Sequence, residues 1–243
     1  MDVRTILSKA FNTVGVDWYI KGILDSKKQL YTLSNDTKLI SKVFELISIP
    51  IIIGAVIPHV KSWETEERQT VYPDLTLILD TSLPNKIAID IKSTYRKGIY
   101  AGFTLGSYTA YIRPPYTKNI RYHYKEYAEH WIVGYIYDRV EGVKPEIINV
   151  DSMDKVIPPI ENVEVIIQQK WQIASDKPGS GDTANIGSAR TLEELHNGKG
   201  IFTQFGDKGK DIFEDYWRNF DWHPPRKYTS LDGYLTWRTQ SSG

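Results

Sequence analysis

The residues in this chain best suited to chemistry are Asp74, Asp90 and Lys92. Asp74 follows Pro73 and opens the run Asp-Leu-Thr-Leu-Ile-Leu at 74–79. Asp90 and Lys92 close a second run, Lys86-Ile87-Ala88-Ile89-Asp90-Ile91-Lys92. Side chains alternate faces along a strand, so Ile87, Ile89 and Ile91 share one face, the core face, and Ala88, Asp90 and Lys92 share the other. If the two runs form a hairpin, Asp74 comes beside Asp90, and two carboxylates and an ammonium converge at one end of a sheet. That trio suits metal-dependent phosphodiester hydrolysis. Hard Mg²⁺ takes one or two carboxylates together with waters and phosphate oxygens. It neutralises phosphate charge and lowers the pKa of a bound water. The lysine can orient the attacking water or stabilise developing charge. Asp90 is singled out because an unpaired carboxylate is costly to bury among isoleucines. Aspartates that open strands, and Asp-x-Lys on half-exposed strands, also occur where there is no site. Spacing alone therefore leaves both readings open.

The elements that must position this trio are readable in outline. The two strands are joined by Ser82-Leu83-Pro84-Asn85. Asp36 is placed to cap a helix running to about residue 47, with Leu39, Ile40, Val43, Phe44 and Ile47 on one face. Lys38, Lys42 and Glu45 fall on its opposite face. Glu45 is thus a candidate fourth member, able to hold a second metal or brace the first. Elsewhere the pattern predicts a helix over 2–18, a β-hairpin over 19–33, and strands at 103–112, 131–138 and 163–168. A polar, glycine-rich loop follows over 176–188, then helices at 191–197 and 210–219. The tail after Asp221 reads as partly irregular. Helices flanking several strands, without a domain-sized linker, argue for one α/β domain over residues 1–243.

Composition bounds the function classes. The chain has 243 residues and no cysteine, which removes disulfides, thiolate metal sites and cysteine nucleophiles. No histidine spacing matches a metal motif. Lys plus Arg and Asp plus Glu are each 30, so the formal net charge is zero, which by itself weighs against a nucleic-acid partner. The longest apolar stretch, 47–60, is interrupted by Ser48, Pro50, Gly54 and Pro58, so no membrane span is expected. The N-terminus lacks the features of a secretory signal, and a cytoplasmic location is expected. The seven Trp and sixteen Tyr are read as core and interface residues.

Pro-Asp…Asp-x-Lys is the motif of the PD-(D/E)xK nuclease superfamily. The surrounding words resemble EcoRV-like type II restriction endonucleases along nearly the whole chain. They include Asp36-Thr37-Lys38, Phe44-Glu45-Leu46, Tyr72-Pro73-Asp74, Ile87-Ala88-Ile89-Asp90-Ile91-Lys92, Phe103-Thr104-Leu105-Gly106 and Thr117-Lys118-Asn119-Ile120. His130-Trp131-Ile132, Gly179-Ser180-Gly181, Asn185-Ile186-Gly187-Ser188, Gly198-Lys199-Gly200-Ile201-Phe202 and Asp215-Tyr216-Trp217-Arg218-Asn219 continue them. The resemblance implies a mixed central sheet flanked by helices, and a bacterial homodimer that cuts both strands of a palindromic duplex DNA site with Mg²⁺. It further implies a blunt cut at GATATC or a related sequence, leaving 5′-phosphates, and a companion DNA methyltransferase. The matching catalytic positions are Glu45, Asp74, Asp90 and Lys92, with Asp74, Asp90 and Glu45 as metal ligands. The resemblance also implies that the region about 1–35 falls at the dimer interface.

By the same resemblance, Gly179-Ser180-Gly181-Asp182-Thr183 is the loop that reads the major groove, with glycines allowing close backbone approach to the bases. Gln69 and Thr70 lie in a minor-groove loop, and Lys38 and Lys118 lie near the DNA. Two positions depart from the family. Asp182 stands where the family carries Asn, and Thr70 replaces another Asn. Asn pairs bidentately with adenine N6 and N7, whereas Asp only accepts and suits a cytosine N4 donor. These departures touch specificity rather than catalysis. Arg113, Arg121, Arg139, Arg218, Arg226 and Lys227 are further candidates to meet phosphates, although each alone reads as an ordinary surface charge. Three other readings compete: a same-fold repair nuclease, a catalytically silent DNA-binding module, and a protein whose carboxylates are structural. The intact set of four catalytic positions argues against the silent module. The zero net charge then reads as a total that hides a polarised surface, basic in a cleft and acidic elsewhere.

Overall fold

The computed structural model describes residues 1–68, 70–179 and 184–241. Helix α1 (Val3–Val14) starts at Asp2, whose carboxylate accepts from the Thr5 amide, and ends at Gly15 in the left-handed conformation. A small antiparallel pair follows, β1 (Gly22–Leu24) and β2 (Gln29–Thr32), shorter than the hairpin expected over 19–33. Its turn is held by Asp25 Oδ1, which accepts from the amides of Lys27 and Gln29. Helix α2 (Thr37–Val56) is capped by Asp36 as expected, through bonds from the Lys38 and Leu39 amides.

The helix runs a further nine residues beyond the predicted end, through Ser48, Pro50 and Gly54, which corrects the sequence-based boundary. Each interruption is accommodated. Ser48 is fully buried, and its hydroxyl donates to the Phe44 carbonyl and bonds the Tyr135 hydroxyl at 2.5 Å. Pro50 has no N–H for the Leu46 carbonyl, but Leu46 is exposed, so water can satisfy that group. By length and composition 37–59 is long and apolar enough to cross a membrane, with a mean hydropathy of 2.1. One side of that helix instead packs on the sheet through Ile40, Phe44, Ser48, Ile52 and Val56.

The central sheet comprises β3 (Ser62–Thr65), β4 (Leu75–Ile78), β5 (Lys86–Tyr95), β7 (Tyr127–Arg139) and β9 (Ile160–Gln169), in the order 3-4-5-7-9. The β5–β7 pair is parallel and the others are antiparallel. Between these lie β6 (Thr104–Ser107) and β8 (Ile147–Asn149). The strand expected over 103–112 is thus cut short. Gly106 takes a positive φ of 90°, and the chain beyond it turns Tyr108 and Tyr111 into the core. Strand β8 adds to β2, giving a small sheet β1-β2-β8.

The alternation read along 86–92 holds. Ile87, Ile89 and Ile91 pack with Phe44, Trp131 and Val133 under α1 and α2. The opposite face is covered too. Ala88 and Ile132 pack against Phe103, Leu105 and an aromatic group that includes Tyr108, Tyr216 and Trp217. The polar side of β5 is therefore buried at its middle. This second layer comes from the short α3 (Lys170–Ile173), the hairpin β10 (Ala174–Pro178) and β11 (Asn185–Ser188), α4 (Leu192–Asn197) and α5 (Gly209–Asn219). Strand β11 also pairs with β6. Helices α4 and α5 agree with the expected segments. The tail is irregular up to residue 230, in line with the expectation of a partly irregular tail, and then forms a helix the sequence did not show, α6 (Leu231–Ser241). It is anchored by Leu231 and Tyr234, and the Asp176 carboxylate receives the Leu231 amide. Two apolar anchors in eleven residues are too sparse to reveal a helix by periodicity.

Candidate active site

Strand pairing builds the site. Leu75 lies opposite Ile89 in the antiparallel β4–β5 register, so Asp74, one residue earlier, falls level with Asp90. Asp74 is fixed there by its own side chain, whose Oδ2 accepts the Ile91 amide at 2.6 Å. Asp90 is 3% exposed. Its Oδ1 lies 2.8 Å from Lys92 Nζ, two residues along the same face of the strand. Its Oδ2 is buried and has no hydrogen-bond partner among the described residues. Buried carboxylate oxygens are normally satisfied, so this oxygen marks a place for a further group.

Electrostatics agree with the geometry. Burial and the charge of Asp90 push the Asp74 carboxyl up to about 7, against the opposing pull of Lys92 and the Ile91 amide. Burial works against the Lys92 ammonium, but Asp90 and Asp74 outweigh it and hold Lys92 above its ordinary value. Among the described residues no group of three or more His, Asp or Glu side chains could hold a metal by itself. A two-carboxylate site is nevertheless what Mg²⁺ uses when phosphate oxygens and waters complete its shell. The orphaned Asp90 Oδ2 beside Asp74 fits such an ion.

The remaining expected site residues divide. Glu45 stands on α2, which is tied to the end of β5 by the Ser41–Ser93 hydroxyl bond at 2.6 Å. Its charge acts on both Asp74 and Lys92, but its carboxylate is bound to Lys42 at 2.6 Å rather than to the pair. Lys38 is exposed in the first turn of α2. Lys118 is exposed beside Asn119, whose carbonyl accepts the Tyr72 amide, so its loop is tied to the Tyr72-Pro73-Asp74 segment. Thr70 is exposed in the turn between β3 and β4. Gln69, Ser180, Gly181, Asp182 and Thr183 lie outside the described residues.

Gly179 has a structural reason for being glycine. A Cβ there would lie 2.9 Å from the Ile186 carbonyl oxygen and 3.2 Å from Gly187 Cα, so close approach of β10 and β11 demands it.

The candidate phosphate cations are mostly engaged within the chain. Arg113 donates to the Phe220 carbonyl, and Arg121 pairs with Glu64 and Glu66. Arg218 pairs with Glu214 and Asp215, and Lys227 with Asp221. Arg226 donates to the carbonyls of Asp221 and Trp222. Arg139 lies over the Tyr95 ring. Sequence reasoning missed Lys170, Tyr111 and His130, which are buried behind Asp74. Tyr72 stacks on Tyr111, its hydroxyl bonds His130 Nδ1 at 2.8 Å, and the Lys170 ammonium sits 3.8 Å from the Tyr72 ring centroid. The one available signal was a lysine two residues after the apolar strand at 163–168.

A family model described as "Restriction endonuclease EcoRV" matches residues 15–239. The chain is also 38% identical over 245 residues to a protein of Escherichia coli named "Type II restriction enzyme EcoRV", covering 98% of each.

Proposed function

The chain belongs to the EcoRV restriction endonuclease family and is a type II restriction endonuclease, and from that premise we propose how its residues divide the work. Asp74 and Asp90 hold Mg²⁺, which when bound neutralises phosphate charge and acidifies a water. Lys92, fixed by Asp90, orients the attacking water and stabilises charge developing on the phosphate. Water oxygen bonds to phosphorus, the bond from phosphorus to the 3′ oxygen breaks, and a 5′-phosphate and a 3′-hydroxyl remain. Glu45 braces this arrangement from α2. The observation that carries the reading is the buried Oδ2 of Asp90, without a partner among the described residues, on a carboxylate that is bound to Lys92 and level with Asp74.

The substrate is a palindromic duplex, GATATC or a related sequence, cut bluntly by a homodimer whose two-fold axis matches that of the DNA. Its host carries a methyltransferase that protects the same site, and the enzyme works in the bacterial cytoplasm. Asp182 and Thr70, where the family has Asn, tune discrimination at the bases. Support for a DNA groove comes from a cavity of about 590 Å³ beside the end of β5, lined by Thr94, Lys97, Lys177, Gly179 and Arg190. Support for the dimer comes from apolar residues exposed on and around the small sheet: Tyr19, Ile23, Leu24, Tyr31 and Ile147.

Digestion of a random duplex library in Mg²⁺, with the ends sequenced, tests the reading. Blunt ends at one palindrome are expected, and none with Asp90→Ala or Lys92→Ala. Cutting by either variant at the parent rate would overturn the assignment. Cutting confined to GATATC with unaltered discrimination would remove the argument from Asp182.

A further inference from the structure

Tyr72 stands two residues before Asp74 and is buried. Its backbone hangs on the loop between β6 and β7: its amide donates to the Asn119 carbonyl at 3.0 Å, and its carbonyl accepts the Arg121 amide at 2.9 Å. Its side chain reaches the central sheet instead. The Tyr72 hydroxyl bonds Nδ1 of His130, also buried, at 2.8 Å. His130 lies on β7 opposite Ala88 in the parallel β5–β7 register, and Ile132 lies opposite Asp90. Residues two apart share a face, so His130 stands on the face of the sheet that carries Asp90.

Both rings lie flat against neighbours. Tyr72 stacks on Tyr111 with centroids 4.5 Å apart and 13° between planes, and His130 stacks on Tyr124 at 4.6 Å and 14°. Stacking resists tilting more than sliding, and a directional O–H and ring-nitrogen bond supplies the missing constraint. Asp74 needs an anchor on this side. Strand β4 begins only at Leu75, one residue after it, and Pro73, one residue before it, has no N–H to pin the backbone. The Asp74 carboxylate meets β5 by accepting the Ile91 amide at 2.6 Å, a bond that holds only while the backbone behind it keeps its place.

We propose that Tyr72 and His130 are positioning residues for the cutting reaction: their hydrogen bond ties the segment entering β4 to β7 and so sets Asp74 level with Asp90, without either side chain touching the metal or the DNA. The role rests on the reading of Asp74 as a metal ligand given above. Chemistry is sensitive to displacements that a fold tolerates, since about 1 Å at a reacting group can cost about a hundredfold in rate.

The test uses the full chain in four variants. Tyr72→Phe removes only the hydroxyl. His130→Leu removes the ring nitrogens, and His130→Asn keeps a polar atom where Nδ1 stood. Tyr72→Phe with His130→Leu removes both partners and leaves neither unpaired. Cutting of the duplex that the parent cuts is followed in Mg²⁺, with urea unfolding alongside. In the metal-free chain, hydrogen exchange of the Ile91 amide is compared with that of Ile89. Tyr72→Phe, His130→Leu and the double variant should each lose about tenfold in kcat, with KM for the duplex unchanged and Ile91 exchanging faster relative to Ile89. His130→Asn should keep the parent kcat. The double variant should be no slower than either single one, because both break the same link. It should also regain stability over Tyr72→Phe, in which a buried ring nitrogen is left unpaired. A purely structural role predicts that kcat returns together with stability in the double variant. That result overturns the proposal, as does a parent kcat or an unchanged Ile91 exchange in Tyr72→Phe. If Tyr72→Phe does not fold, the double variant decides by the same two measurements. Parent-rate cutting by Asp74→Ala would defeat the metal-ligand reading instead, while exchange at Ile91 would still decide whether the bond holds Asp74.

Discussion

Asp74 keeps its proton to about pH 7 because burial and the Asp90 charge outweigh Lys92 and the Ile91 amide. Between its ordinary value, about 4, and that pH, the folded chain binds a proton that the unfolded chain has released. The group therefore contributes stability that is full below about pH 4 and is lost as pH rises through about 7. Asp74→Asn has no such proton to lose. In metal-free urea unfolding, the stability of Asp74→Asn relative to the parent should climb between pH 4 and pH 8. A flat difference would mean that Asp74 is not held in this environment. The identities of Asp74, Asp90 and Lys92 were legible because strand alternation is a local rule. The engagement of Glu45 by Lys42 was not, although the two share a helix face, because rotamers choose between competing partners only in three dimensions.

Strands β5 and β7 form the parallel pair on which the site rests, and Gly134 is where their neighbours press closest. It lies opposite Lys92 on one side and Ile166 on the other. A Cβ there would meet Phe103 Cζ at 2.8 Å and Ile166 Cγ1 at 2.9 Å. Gly134→Val should therefore destabilise the fold by about 1–3 kcal/mol through overpacking, read as a lower urea midpoint. An unchanged midpoint would mean that the layer over β7 yields freely. At this scale the caps, the central hairpin and helices α4 and α5 were readable because each is set by neighbours in sequence. The end of α2 was not. Ser48, Pro50 and Gly54 look like breakers until Tyr135, from β7, supplies a partner for Ser48.

For the whole molecule, the small sheet β1-β2-β8 presents Ile23 at 57%, Leu24 at 55% and Ile147 at 62% exposure, more apolar surface than one isolated contact explains. If this face joins two copies around the DNA, Ile23→Asp with Leu24→Asp should shift the chain from dimer to monomer in sedimentation. Double-strand cutting should fall with it, while the single-chain fold is kept. A dimer of parent stability would place the interface elsewhere. The zero net charge is also a property of the whole. Arg121 and Arg218, named as phosphate candidates, spend their charge on internal acids, and Lys38 and Lys118 stand exposed.

By itself the sequence determined the candidate trio Asp74, Asp90 and Lys92, the α/β class and the family likeness, since all three are written in local alternation, caps and ordered motifs. Only the tertiary structure decided that the polar face of β5 is roofed over and that Asp90 keeps one oxygen without a partner among the described residues. It also placed His130, far from Tyr72 in sequence, where it bonds that residue behind the site. The physical reason is that burial and the pairing of buried polar groups depend on which distant segments pack together, and no local spacing encodes that.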